Sequence, residues 1–152
     1  AYYVANVTSR LVCGTSNRTE LLLGYFTKYG DGAADLRPLA DLYKTEVRAL
    51  ARHVGVRRDI TEKTPTAGLW RGQTDEEELG APYGLLDVLL CGLVDEDLGV
   101  EGTADELGID PDIVREYAEL YLDTEHKRRR APEPETGRIE SDGLFCELED
   151  RV

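Results

Sequence analysis

"LVCGTSNRTELLLGYFTKYGDG", residues 11–32, starts as a short apolar run and turns polar within four residues. Leu11 to Cys13 read as a strand stopped by Gly14, and Asn17 is a favourable N-cap for a helix over about 18–26. Glu20 falls three residues after Asn17, where a carboxylate reaches back to the N-cap N–H. A strand feeding a capped helix predicts an α/β fold built on a parallel sheet. Only one strand stands out, and a sheet needs several, so the expectation is a helix-rich chain holding part of such a sheet.

Outward from this stretch, residues 1–9 read as the end of a helix. The segment "TKYGDGAADLRP", 27–38, has enough glycine and proline to be loop. Pro38 is expected to open a second helix, with Leu39, Leu42, Val47, Leu50 and Val54 on one face and Gly55 at its end. Residues 56–76 read as one long loop carrying the sole tryptophan, Trp70; loops of that length are usually functional or disordered. Pro82 begins an apolar helix to about Val94. An acidic connector, "DEDLGVEG", leads to a short helix, a turn at Asp110-Pro111 and a longer helix ending in "HKRRR". From Ala131 the chain is rich in proline and charge and reads as an extended arm.

The 152 residues carry 31 acids against 18 bases, a formal charge of −13. That balance excludes sequence-independent binding to nucleic acid, which needs a cationic face. No apolar run is long enough to cross a membrane, and the N-terminus has no leader pattern. Cys13, Cys91 and Cys146 are odd in number and lack metal-site spacing, as expected of reduced thiols in a cytoplasmic protein. Acid surplus with scarce lysine suits solubility at high salt, as in a halophile.

Only four of the basic residues are lysines: Lys28, Lys44, Lys63 and Lys127. All four fall in or near loops and helix ends, where a compact ammonium suits phosphate. Glu20 can serve as a cap or as a ligand to Mg²⁺, which takes one or two carboxylates beside phosphate oxygens. Thr15 and Thr66 offer hydroxyls beside glycine or proline turns. Asp35 is either a solvated loop carboxylate or an acceptor for a ribose or amide. His126 and Lys127 either face a ligand or complement a helix C-terminus.

Taken together, "GTSNRTELLLGYFTKYGDGAADLRPLADLYKTEV", "KTPTAGLWRGQTDEEELG" and "EHKRRRAPEP" resemble the C-terminal two-thirds of ammonia-dependent NAD synthetases. The resemblance implies an adenine-nucleotide-hydrolase-like, Rossmann-like α/β sheet and a homodimer. It also implies ATP-dependent amidation of deamido-NAD with ammonia, giving NAD, AMP and diphosphate. Under it, Thr15, Lys44 and Thr66 contact ATP and Glu20 holds Mg²⁺. Lys28, Asp35, His126 and Lys127 contact deamido-NAD, which in the family lies at the dimer interface. The loop over about 63–77 closes on the reactants. Residues 1–100 then form the C-terminal part of the nucleotide-binding domain, 101–135 a helical region with a basic end, and 136–152 an acidic extended tail. The family's Ser-Gly-Gly-x-Asp-Ser phosphate loop does not occur in these residues. With it go the sheet's first strands and a second metal-binding carboxylate, so this chain alone is expected to bind ATP poorly. The competing expectation is a truncated, non-catalytic paralogue that only dimerises.

Overall fold

Asn17 caps its helix as its spacing predicts. In the computed structural model, which describes residues 1–132, its side chain accepts from the Glu20 N–H at 3.0 Å while Glu20 accepts from the Asn17 N–H at 3.1 Å. This capping box starts α2, Arg18–Leu23, which Gly24 ends in the left-handed region at φ 66°. Before it, α1 covers Tyr2–Thr8.

The strand expected over 11–13 shrinks to one parallel bridge, Cys13 to Leu36, closed by the Gly14 N–H donating to the Leu36 carbonyl at 2.8 Å. No named strand occurs among the described residues, so the predicted parallel sheet is not present there. A lone pairing gives the 11–13 segment no ladder to extend.

The second helix starts later than Pro38 suggests. Residues 38–42 form a turn, and α3 covers Lys44–His53. Its start is fixed by three acceptors: Glu46 takes the Tyr43 N–H at 2.8 Å, Thr19 Oγ1 the Lys44 N–H at 3.0 Å and Asp87 the Thr45 N–H at 2.8 Å. A helix begins where its orphan N–H groups find partners, and here those lie at Tyr43 to Thr45.

The stretch read as one loop, 56–76, holds α4, Arg58–Thr61, and runs into α5, Asp75–Leu79, capped by the Thr74 hydroxyl. Pro82 caps α6, Tyr83–Leu90, and the chain continues through a π-helical turn, Cys91–Asp95. The connector is helical from Gly99, so α7 runs Gly99–Leu107, longer than expected. Asp110 and Pro111 open α8, Pro111–Asp123, followed by α9, Glu125–Arg128. The tail expected over 136–152, and residues 133–135 of the helical region before it, lie outside the described residues.

The dry centre is built mainly on α6. Tyr83, Leu86, Leu89 and Leu90 pack with Leu22 and Leu23 of α2, Ala104 of α7, and Val114 and Tyr117 of α8. Each fully buried leucine contributes about 1.5–3 kcal/mol of transfer free energy. This core seats α2 against α6 and takes in Tyr43, the N-cap of α3, which places the residues described next.

Candidate functional site

Adjacent residues of α2 point to opposite sides of its wall. Thr19 is fully buried, while Glu20 faces a cavity of about 400 Å³. Glu20 Oε2 is held by the capping box, and Oε1 accepts from Lys44 Nζ at 2.8 Å. The ammonium also lies 5.0 Å from the centre of the buried Tyr83 ring. Both charged side chains are only about one-fifth exposed, 20% and 17%, so solvent screens this pair less than a surface pair. Thr66 joins them in lining the cavity, and its hydroxyl accepts from the Gly68 N–H at 3.0 Å.

Beneath the pair lies a buried polar knot. Thr19 Oγ1 donates to Asp87 Oδ1 at 2.5 Å and accepts from the Lys44 N–H, while Asp87 Oδ2 takes the Thr45 N–H. Asp87 is 5% exposed and Thr19 0%, so each must be paired, and each is. The knot fixes α2 against the start of α3 and therefore sets Glu20 and Lys44 at bonding distance. Sequence reasoning passed over Asp87; its signal was a lone acid inside the apolar run "YGLLDVLL".

Asp75 was also passed over. It opens α5, lines the same cavity, and is 5% exposed. It accepts from the Tyr83 hydroxyl at 2.9 Å and from Tyr25 at 3.2 Å. Burial, with Glu20 and then Asp75 close by, pushes the Tyr83 phenol far above its ordinary range, so it remains a donor. Thr74 followed by an acid was the signal for this helix start.

A second cavity of about 500 Å³ adjoins the first and is lined by Phe26, Gln73 and Lys127 among others. A third, of about 760 Å³, gathers Lys28, Arg37 and the basic residues 127–130. Lys127 lines both, with its ammonium donating to the Gly24 carbonyl at 2.6 Å and to that of Phe26 at 3.1 Å. Lys28 donates to the His126 carbonyl and lies 5.6 Å from the Tyr29 ring. Lys127 thus meets carbonyls just past the end of α2, where helix-dipole charge favours a cation.

The structure thus brings Glu20, Lys44 and Thr66 into one cavity, and Lys28 and Lys127 into another. Three further candidates stand apart from these linings. Thr15 is exposed on the turn before α2. Asp35 accepts from the Val12 N–H at 2.6 Å and the Tyr2 hydroxyl at 3.3 Å, bracing the parallel bridge. The exposed His126 ring has Nδ1 3.1 Å from the Asp123 carbonyl.

The chain is similar to known proteins over most of its described length. The NAD synthase family model matches residues 1–131. An NH(3)-dependent NAD(+) synthetase from Pyrococcus furiosus is 56% identical over 128 residues, covering 84% of this chain and 50% of the relative. One from Halobacterium salinarum is 47% identical over 133 residues, 88% of this chain and 50% of the relative. Among solved structures, NMN synthetase from Francisella tularensis aligns at TM-score 0.67 and 35% identity, covering 88% of this chain and 50% of that one. The NH3-dependent NAD synthetase from Campylobacter jejuni aligns at TM-score 0.65 and 25% identity over 88% of this chain and 49% of that one. The chain spans about half the length of the curated relatives it matches. A family model running from residue 1 to 131, over α2, α3 and the loop that carry Glu20, Lys44 and Thr66, places this chain in the NAD synthase family.

Proposed function

We propose that this chain carries the substrate-contacting half of an ATP-dependent amide ligase that makes NAD from deamido-NAD and ammonia. The observation that carries the reading is the convergence of Glu20, Lys44 and Thr66, from α2, α3 and the 62–74 loop, on one cavity. In that reaction the nicotinate carboxylate attacks the α-phosphorus and pyrophosphate leaves; ammonia then attacks the acyl carbon and AMP departs. Two anions must meet, so a cation at their meeting point lowers the barrier. Lys44 supplies it, held by Glu20 and the Tyr83 ring until phosphate competes for the ammonium. Lys127 and Lys28 provide cations for the dinucleotide in the neighbouring cavities, and Thr66 a hydroxyl for the nucleotide. Thr15, Asp35 and His126 join them as contacts from the enzyme's closed or dimeric form. The homodimer, the complete parallel sheet and the cytoplasmic setting belong to the same reading.

The donor set suits Mg²⁺ arriving with ATP rather than a resident ion. Among the described residues no group of three or more His, Cys, Asp or Glu is placed to hold a metal, and Glu20 presents one carboxylate to the cavity. Glu20 would hold the ion, which neutralises phosphate charge when bound.

The test is NAD formation by the protein expressed from its complete reading frame, supplied with deamido-NAD, Mg-ATP and ammonium. Glu20→Gln keeps the capping box and removes the charge, and is expected to lower kcat by about 10²-fold or more. An unchanged rate removes Glu20 from the site. Because one structural neighbour is named an NMN synthetase, the same assay offers the mononucleotide substrate as a competitor. Preference for it would move the reading to that product.

A further inference from the structure

The first two cavities share a wall made by Tyr25, Asp31 and Ala67. Tyr25 leaves α2 just after Gly24, and its hydroxyl reaches across to α5, donating to the carboxylates of Glu78 and, at 3.2 Å, Asp75. From Glu78 the bonding continues outward. Gln73 Nε2 donates to Glu78 at 2.9 Å, and the Leu69 N–H donates to Gln73 Oε1 at 2.7 Å. Gln73 is 6% exposed, whereas Leu69 and Trp70 at the loop tip are 78% and 56% exposed. Other bonds, such as the Asp75 N–H to the Pro65 carbonyl at 3.0 Å, fasten the loop's base rather than its tip. The tip lies between Gly68 and Gly72, both at positive φ with open space around the α-carbon. Among the described residues, the Leu69 N–H to Gln73 is the hydrogen bond that ties the tip to the rest of the protein.

We propose that Tyr25 is the positioning residue that sets where the Leu69–Trp70 tip rests beside the second cavity, which Leu69 lines, and thereby how well water is kept from the acyl adenylate. The proposal rests on the ligase reading above. In the productive course the nitrogen of ammonia bonds to the acyl carbon, the carbon–oxygen bond to AMP breaks, and the surplus proton passes to solvent. If water attacks instead, deamido-NAD is regenerated and AMP leaves, so the net change is ATP and water to AMP and pyrophosphate. A displaced tip is therefore read as pyrophosphate formed in excess of NAD. A general loss of folding lowers both products together and leaves their ratio alone.

Tyr25→Phe keeps the ring that separates the cavities and removes the hydroxyl. Two measurements follow: acrylamide quenching of Trp70, the sole tryptophan, in the unliganded protein, and the pyrophosphate-to-NAD ratio in the protein expressed from its complete reading frame. Quenching is expected to increase. The hydrolysed share of adenylate is expected to rise about tenfold, the factor set by one lost hydrogen bond to a carboxylate. Gln73→Ala, which cuts the same relay nearer the tip, should reproduce both effects with Tyr25 intact. Unchanged quenching in both variants overturns the anchoring role, as does an unchanged ratio in an enzyme that makes NAD. If the parent protein makes no NAD, the ligase reading fails, and quenching alone decides whether Tyr25 holds the tip.

Discussion

The cavity holding Glu20 and Lys44 has two walls built on different terms. One is made by α2 and α3, locked from behind by the Thr19–Asp87 knot and backed by the leucines of α6. The other is the 62–74 loop, pinned at its base and held at its tip by one chain of side-chain bonds. On the proposed ligase reading, charge placement falls to the rigid wall, and admission of substrate and water to the loop. Small errors in charge placement cost most where they cannot relax, and a lid must open.

The comparison breaks most decisively at Asp87. Asp87→Ala leaves the buried Thr19 hydroxyl without its acceptor, removes the partner of the Thr45 N–H, and is expected to cost about 3 kcal/mol in urea unfolding. A loss under 1 kcal/mol would mean that the rear of the rigid wall is looser than drawn. Gly24 and Gly68 make the next test, because both have positive φ. An added Cβ at Gly24 would come within 2.4 Å of Thr124, while at Gly68 it meets nothing within 4 Å. Gly24→Ala should therefore cost about 2 kcal/mol, and Gly68→Ala about 1 kcal/mol from backbone strain alone. Equal costs would erase the distinction between the two regions.

Acid separates the regions more finely. Burial tends to raise the Asp95 carboxyl, but hydrogen bonds from Tyr43 and Arg18 outweigh it and hold the group below its ordinary 3.8. A carboxyl with a depressed folded pKa contributes stability above its unfolded value and loses it as pH falls through the folded one. Tyr43→Phe should thus start acid unfolding at a higher pH, by removing about 1 kcal/mol of bonding. Glu78 is likewise held below its ordinary 4.5, first by Tyr25 and then by Gln73. Tyr25→Phe should raise the Glu78 titration, followed by NMR, without moving global acid unfolding. The smallest expected effect is at the tip: Trp70→Ala should change stability by less than about 0.5 kcal/mol, since its side chain is mostly in solvent.

Local signals were legible in the sequence, and long-range ones were not. Asn17 and Glu20 announce their helix because a capping box depends on four consecutive residues. The start of α3 was misread at Pro38 because the groups that fix it, Thr19 and Asp87, lie far away in the chain. Glu20, Lys44 and Thr66 stand out by residue type and setting, and resemblance assigns their contacts; nothing in their spacing says that they share a cavity. Tyr25 stayed hidden because half-buried aromatics are common, and its role emerges only when α5 brings Glu78 to its hydroxyl. The sheet is the converse case. The apolar segment 11–13 was recognised, but strand structure depends on neighbours, and here it finds a single bridging partner.

One feature of α2 reaches further than its six residues suggest. Thr19 faces inward and Glu20 outward, although they are consecutive. A helix rotates about 100° per residue, so deleting one residue between Asn17 and Thr19 would carry the carboxylate into the buried position beside Asp87, and inserting one would carry the hydroxyl out to the cavity. Descendants of this sequence can exchange many surface side chains, but the count of residues between Asn17 and Gly24 is not theirs to vary.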